Sequence, residues 1–243
     1  MAAKTITLEM IKSNVEFRIL IDTANKNLEC MGYTEHGLRH VGYVSKTTAN
    51  ILSELGYDAR TVELGAIVGW IHDIGNAVNR KNHGITGATL AYDALNRMHM
   101  DYNEIALIIG AIGNHEEDMG HPVNPISAAL IIADKSDAHR SRLRKNTYNE
   151  GEIHERVNMA INKNKLVVDK ENRKIRLVIY MDTNSSTMEY MQIYLSRIML
   201  CEQAAHFLGC VFELVINDAV INRQKKPDTP VALKRGEKEV SED

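Results

Sequence analysis

Histidine and aspartate side chains follow several strongly apolar segments of this chain. His72 and Asp73 come directly after the apolar segment 67–71, and Asp134 comes directly after the apolar segment 128–133. An isolated carboxylate in such surroundings is unfavourable by several kcal/mol unless it is paired or binds a metal. Imidazole and carboxylate groups together are ligands for divalent metals such as Zn, Fe, Mn, Co and Ni. The pattern therefore predicts a divalent-metal site.

Two further histidines have comparable settings. His115 follows the apolar helix predicted over 105–112, and His83 stands just before Gly84 at the start of another predicted helix. A helix end lies at the edge of a core, so a polar side chain there can face a site. The alternative for His83 is a capping or loop histidine before Gly84. The alternative for His115 is a histidine at the C-terminal end of a helix, where the helix dipole favours a cation.

The helix predicted over 35–55 carries two histidines one turn apart, His36 and His40. Residues at this spacing share one face of a helix. The apolar stripe of the helix lies nearer His40 than His36, so periodicity alone favours His40 as the inward residue. Both remain candidates on this evidence.

Apolar residues at spacings of three and four predict seven helices before residue 165. They lie at about 13–31, 35–55, 59–74, from Gly84 past Leu95, and at 102–114, 127–142 and 152–164. The chain is therefore expected to be mainly α, with an all-helical domain over residues 1–164.

The pattern changes after residue 164. Two β-branched runs, 165–168 and 174–181, flank a charged turn, and a long helix over 185–208 precedes a third strand at 210–216. This predicts a small α+β unit with the order β-β-α-β over residues 165–221. So small a unit buries too little surface to be stable alone, and we expect it to pack on the helical domain. Residues 222–243 are rich in Lys, Glu and Pro and are predicted to form a flexible tail.

The composition excludes several classes of protein. Apolar residues make up 44% and charged residues 25% of the 243 residues, which is typical of a globular protein. With 29 Lys and Arg against 32 Asp and Glu, no strong field attracts a nucleic-acid polymer or an anionic membrane. The three cysteines form no C-x-x-C pair, which favours a reducing, cytoplasmic setting. A homodimer remains open.

Five short motifs occur in an order that resembles the HD superfamily of metal-dependent phosphohydrolases. They are Glu35-His36-Gly37-Leu38-Arg39, His72-Asp73-Ile74-Gly75, His83-Gly84-Ile85-Thr86-Gly87-Ala88, Asn114-His115-Glu116 and Ala133-Asp134-Lys135. The resemblance covers about residues 33–142. Residues 1–32 and 150–221 also look like the flanks of a little-characterised bacterial and archaeal subgroup of these proteins.

This resemblance implies a ligand set with one or two divalent ions, whose identity stays open among Fe, Mn, Zn, Co, Ni and Mg. His36, His72, Asp73 and Asp134 would bind the first ion. His83 and His115 would add a second ion bridged by Asp73. The resemblance thus favours His36 over His40, and it makes His72 and Asp73 the expected catalytic pair.

Four further residues are expected to bind substrate. They are Lys135, Arg140, Asn76 and Arg39. Many members of the superfamily carry lysine where this chain has Asn76, so positive charge for a phosphate must come from elsewhere. Several multi-metal members have a His-His pair where this chain has Asn114-His115, so a third ion is not expected.

The chemistry expected of such a site is hydrolysis of a phosphoester in a nucleotide or another small phosphorylated metabolite, because paired metals activate water and neutralise phosphate charge. Two alternatives come from other classes. A six-ligand site also resembles the mixed-valent di-iron oxygenases of the superfamily. The chain is also compatible with a non-catalytic metal-binding or regulatory module.

Overall fold

The structure, a computed structural model, describes residues 3–144 and 149–222. Within them the fold is mainly helical and ends in a small mixed sheet, which confirms the expected fold class. The helices α1 to α9 span Leu8–Ser13, Val15–Cys30, Leu38–Glu54, Ala59–Ile71, His83–Arg97, Tyr102–Gly113, Pro125–Lys135, Ile153–Ala160 and Thr187–Phe207. The strands β1 to β4 span Ile161–Asp169, Lys174–Met181, Val211–Ile216 and Ala219–Val220.

Some helix bounds differ from the predicted ones for local reasons. The helix expected over 13–31 begins at Val15, because the Asn14 side chain accepts hydrogen bonds from the first amides of α2 and so caps it. A short helix that was not predicted, α1, precedes it. The helix expected over 127–142 ends at Lys135, and a short 3-10 turn follows at Arg140–Arg142. The first strand begins at Ile161 instead of 165, because the backbone becomes extended there at the end of α8.

The sheet has the strand order β1-β2-β3-β4. The first two strands form the predicted antiparallel hairpin, and β3 then pairs parallel to β2 after the chain has passed through α9. Alternate residues of β2 are buried, among them Ile175, Leu177 and Ile179, as expected for a strand with one face on a core. The short β4 adds an antiparallel edge beside β3.

Helix α7 is the centre of the helical part. Every residue from Ile126 to Ala133 is buried, and a mostly apolar helix segment of this kind must be covered on all sides. Helices α3, α4 and α6 pack against it, and so does α9 from the C-terminal unit. One continuous cluster of buried apolar side chains joins the helices and the sheet.

Two further sequence predictions concern the C-terminal tail and the membrane. Residues 223–243, nearly all of the predicted tail, lie outside the described residues. Asn222 itself is anchored, since its side chain bonds Glu202, Phe212 and Leu214. Among the described helices, none is both long enough and apolar enough to cross a membrane.

Candidate metal centre

Side chains from three helical segments meet at one end of α7. His40 belongs to α3, His72 and Asp73 follow α4, and Asp134 belongs to α7. The Nε2 atom of His40 lies 3.4 Å from Asp134 Oδ1 and 3.6 Å from Asp73 Oδ2. The Nε2 atom of His72 lies 3.5 Å from the same Asp73 oxygen and 3.7 Å from the same Asp134 oxygen. Four potential ligand atoms thus surround one point.

A second group shares Asp73 with the first. The other carboxylate oxygen of Asp73, Oδ1, lies 3.3 Å from His83 Nε2 and 3.8 Å from His115 Nε2. These two nitrogens are 3.1 Å apart. The two oxygens of Asp73 therefore face different sets of histidines, which is the arrangement of a carboxylate that bridges two ions.

Two glycines allow the elements to approach closely enough for this. A Cβ on Gly69 of α4 would lie 2.6 Å from the Cα of Ser45 in α3, so α3 and α4 pack backbone to backbone beside His40 and His72. A Cβ on Gly75 would lie 2.0 Å from the carbonyl oxygen of His83. Any larger residue at Gly75 would push the turn after Asp73 away from α5.

The ring nitrogens of the four histidines are oriented by hydrogen bonds on their far side. In each ring Nδ1 contacts an acceptor: Asp137 Oδ2 at 2.7 Å from His40, Gly69 O at 3.0 Å from His72, Arg80 O at 3.0 Å from His83, and Ile112 O at 2.6 Å from His115. A carbonyl oxygen can only accept, so Nδ1 carries the proton and Nε2 presents a lone pair to the cluster. Histidine ligands of metals are held in this way.

The cluster fits a divalent metal on several grounds. The Nε2 atoms of His40 and His72 are buried and have no hydrogen-bond partner among the described residues, which is unfavourable unless a cation takes the lone pair. The lone pairs of His83 and His115 also face each other and need a positive species between them. Ligand atoms about 2.0–2.2 Å from one ion are separated by about 3–4 Å, as these are. His40, His72 and Asp134 form one potential metal-binding group, and His72, Asp73 and His115 form another.

The protonation states agree with this interpretation. Burial lowers the pKa of His115 to about 4, so its imidazole is neutral near pH 7. Burial alone would raise the pKa of Asp73, but its interactions with the neighbouring imidazoles, chiefly that of His72, hold this pKa well below its usual value. The pKa of Asp134 is likewise held low against burial, chiefly by Lys135. The aspartates are thus ionised and His115 neutral, as metal binding requires.

His36, which the resemblance favoured as a ligand, lies at the edge of this cluster. Its ring centroid is 5.2 Å from that of His40, and its Nδ1 donates to the carbonyl of Thr34 at 2.7 Å. It precedes α3 and lines the cleft into which the cluster opens. The residue inside the group is His40, which the apolar periodicity of the helix had indicated.

Two of the four expected substrate residues lie beside the cluster. The Nζ of Lys135 is 2.6 Å from Asp134 Oδ2, the oxygen that faces away from the histidines. Asn76 is fully buried and donates to Asp73 Oδ1 at 2.9 Å. Asn76 is therefore placed to hold Asp73 in position, while Lys135 lines the cleft.

The other two expected substrate residues are engaged elsewhere. Arg39 binds both carboxylate oxygens of Asp137 and also pairs with Glu35. Arg140 pairs with Asp182 of the C-terminal unit at 2.9 Å. Neither arginine lines the cleft described below.

The cluster opens into a cleft of about 650 Å³, a size typical of small-molecule sites. Asp73, His83, Asp134 and Lys135 lie on its floor or walls. Its lining also includes Arg80 and Arg197, which sequence reasoning did not single out. Arg80 stands in a polar loop, and Arg197 belongs to the distant helix α9, so no spacing in the sequence links either residue to the ligands.

The sequence is similar over part of its length to a known ribonuclease. No family model matches the chain. Ribonuclease Y of Clostridium botulinum strains Hall, Langeland and Okra is 35% identical over 109 residues, which is 44% of this chain but 18% of each relative. The chain thus spans less than a fifth of the length of these curated relatives.

A solved structure described as a predicted HD superfamily hydrolase, from an uncultured Thermotogales bacterium, is 24% identical to this chain. The match has a TM-score of 0.41 and covers 51% of this chain and 67% of that one. This chain is therefore similar to part of ribonuclease Y, and its described residues include buried groups of histidine and aspartate that could hold metal ions.

Proposed function

We propose that this protein is a metal-dependent phosphohydrolase that cleaves a phosphoester of a nucleotide or another small phosphorylated metabolite. The observation that carries the proposal is the placement of Asp73, whose two carboxylate oxygens each lie within a separate group of histidine nitrogens. Such a shared carboxylate would let the two groups hold two divalent ions, and paired ions would supply the charge that favours in-line displacement at phosphorus.

The chain's own residues have distinct parts in this proposal. His40, His72, Asp73 and Asp134 would hold one ion, and His83 and His115 would hold a second together with Asp73. The bound ions supply Lewis acidity, which makes water nucleophilic near neutral pH and offsets the charge of the phosphate. Lys135 lies against Asp134 and adds positive charge at the same end of the cleft.

Two observations support a small substrate. The site lies in a concave cleft, and its lining mixes acidic residues such as Glu116 and Asp118 with arginines. A groove for a nucleic-acid polymer is expected to be uniformly basic, and the chain has a net charge of −3. We include a cytoplasmic location in this proposal.

The similarity to ribonuclease Y favours a second candidate, hydrolysis of phosphodiesters in RNA. The matched segment is less than a fifth of that enzyme, so the substrate of the whole relative need not be shared. An RNA oligonucleotide therefore belongs in the same assay as the small substrates.

The test is a reconstitution experiment. Protein freed of metal with a chelator is loaded separately with Mn²⁺, Fe²⁺, Co²⁺, Ni²⁺, Zn²⁺ or Mg²⁺ and assayed for phosphate release from nucleotides and sugar phosphates, for cleavage of RNA, and for oxygen uptake. We expect phosphate release that needs metal and is absent in Asp73→Asn. Cleavage of RNA alone would favour the second candidate, and oxygen uptake without phosphate release would overturn the hydrolase assignment.

A further inference from the structure

The C-terminal unit reaches the cleft through helix α9. Arg197 of this helix lines the main cleft and also a second cavity of about 300 Å³. Residues of α8 and α9, among them Asn158 and Tyr194, form one side of that second cavity. Asp73, His83 and Asp134 line only the larger cleft. The residues common to both cavities therefore lie between the metal ligands and the second cavity.

Two of the arginines around these cavities have structural roles, because they donate hydrogen bonds to main-chain oxygens. Arg142 is buried and donates to the carbonyl oxygens of Glu35 and Asp137. Arg144 donates to main-chain oxygens of Asn25 and Tyr33 and so holds the segment before α3. In both arginines at least one terminal nitrogen is thus bonded to the main chain, so neither has both terminal nitrogens available for a phosphate.

The guanidinium of Arg197 is fixed at Nε and on its face, while its terminal nitrogens are not bonded to the described residues. Its guanidinium lies 4.7 Å from the ring centroid of Tyr194, and its Nε is 2.7 Å from Glu117 Oε1. Its terminal nitrogens form no hydrogen bond with the described residues, and 27% of its side chain is exposed. An arginine fixed by stacking and by an ion pair at Nε keeps its two terminal nitrogens available for an anion.

Arg80 has a comparable setting on the helical side. Its guanidinium lies 5.4 Å from the ring centroid of Tyr33. One terminal nitrogen makes long contacts of 3.5 Å to Asn76 Oδ1 and 3.4 Å to His83 Nε2. Within the described part of the chain it has no ion pair with a carboxylate. Like Arg197, it lines both cavities.

We propose that Arg80 and Arg197 together bind a second phosphoryl group of the substrate, separate from the phosphoester that meets the metal ligands. The substrate class is then a small molecule with two phosphoryl groups, such as a nucleoside bisphosphate or diphosphate. This inference rests on the proposed function and gives the C-terminal unit a part in substrate selection.

The kinetic test compares two substrates that differ by one phosphoryl group, adenosine 5′-monophosphate and adenosine 3′,5′-bisphosphate. Arg80→Gln and Arg197→Gln should each raise KM for the bisphosphate about 10-fold or more, as the loss of a charged hydrogen bond implies. KM for the monophosphate should change by less than about 2-fold in Arg197→Gln, because Arg197 contacts Glu117 and Tyr194 and not the metal ligands. Arg176→Gln is the matched control, because Arg176 pairs with Glu213 on the sheet and lines neither cavity. Equal effects on both substrates would overturn the inference.

A binding test decides the inference separately from activity. Inorganic pyrophosphate is titrated calorimetrically into metal-free protein and into the three variants. We expect pyrophosphate to bind to the wild type and to Arg176→Gln. Its affinity for Arg80→Gln and for Arg197→Gln should be lower by about 10-fold or more. Pyrophosphate binding that does not depend on Arg80 and Arg197, or no binding by the wild type, refutes the inference even if hydrolysis is found. Arginine-dependent binding in a protein that hydrolyses nothing refutes the proposed function instead.

Discussion

Asp137 orients His40 from behind: its Oδ2 lies 2.7 Å from His40 Nδ1, on the side of the ring away from the metal cluster. Both residues are buried. The ionised carboxylate accepts the Nδ1 proton, so Nε2 is left as the nitrogen that faces Asp73 and Asp134. Burial would raise the pKa of Asp137, but Arg142 and His40 hold it well below its usual value. Asp137 is therefore ionised and can accept the Nδ1 proton of His40.

We expect Asp137→Asn to weaken metal binding by about 10–100-fold, the range found when the partner of a ligating histidine is removed. Arg39→Gln is the control, since it removes a partner of Asp137 but leaves the bond to His40. Titration of metal-free protein with Mn²⁺ or Zn²⁺ measures both variants. If both lose affinity equally, Asp137 acts through its ion pairs and not through His40.

The choice between His40 and His36 as ligand leads to a paired experiment. His40→Gln removes an Nε2 atom from inside the cluster and should lower the bound metal by one equivalent. His36→Gln should retain the full metal content, because the His36 ring lies at the cleft edge. Metal analysis of both purified variants measures the difference, and the reverse result would restore His36 as the ligand.

Substitutions at Asp73 and His83 should differ in the number of metal ions that the protein loses. Asp73→Asn removes the charge shared by both groups and should abolish metal binding and hydrolysis. His83→Gln should lose only the second ion, because the four atoms of the first group remain. Circular dichroism checks that both variants stay folded. A His83→Gln protein with no metal at all would show that the two groups do not bind independently.

The stability of the metal-free protein should depend on the protonation of His115. Its pKa is lowered by burial from 6.5 to about 4, so between these values the unfolded state binds a proton that the folded state does not. Stability therefore falls as the pH is lowered from 6.5 to about 4, by at most about 3 kcal/mol from this residue. Denaturant titrations across this range should show a smaller decrease in His115→Gln. An unchanged pH dependence in the variant would contradict the expected linkage.

Arg140→Ala should leave KM within about 2-fold of the wild type, because Arg140 pairs with Asp182 and does not line the cleft. This reverses the expectation from sequence. Its half-exposed ion pair should contribute at most about 1 kcal/mol to stability. Steady-state kinetics with the substrate identified in the screen measures KM of the variant. A large rise in KM would show that Arg140 binds substrate.

The sequence was sufficient for features that depend on local pattern. Apolar spacing located the helices and the change to strands, and the isolated Asp134 after an apolar run pointed to a site. His72, Asp73, His83 and His115 also come together as expected. The periodicity of α3 favoured His40 on physical grounds, because a ligand that faces the core must lie near the apolar stripe.

The sequence did not predict the positions of side chains that depend on tertiary packing. The distance of Arg140 from Asp134 along the chain suggested one helix, but α7 ends at Lys135 and the chain then turns toward Asp182. Arg197 reaches the cleft because α9 packs on α7. Neither relationship is encoded in the spacing of nearby residues, since both depend on how distant segments meet.

The central place of α7 has a consequence for dividing the chain into independent pieces. Its buried run from Ile126 to Ala133 is covered on one side by other helices and on another by α9. A fragment that stops after α8 would expose part of this apolar surface to water, and exposed patches of this kind cause aggregation. The transition from helices to strands at Ile161 marks a change in secondary structure, and we expect that the two parts of the chain on either side of it do not fold alone.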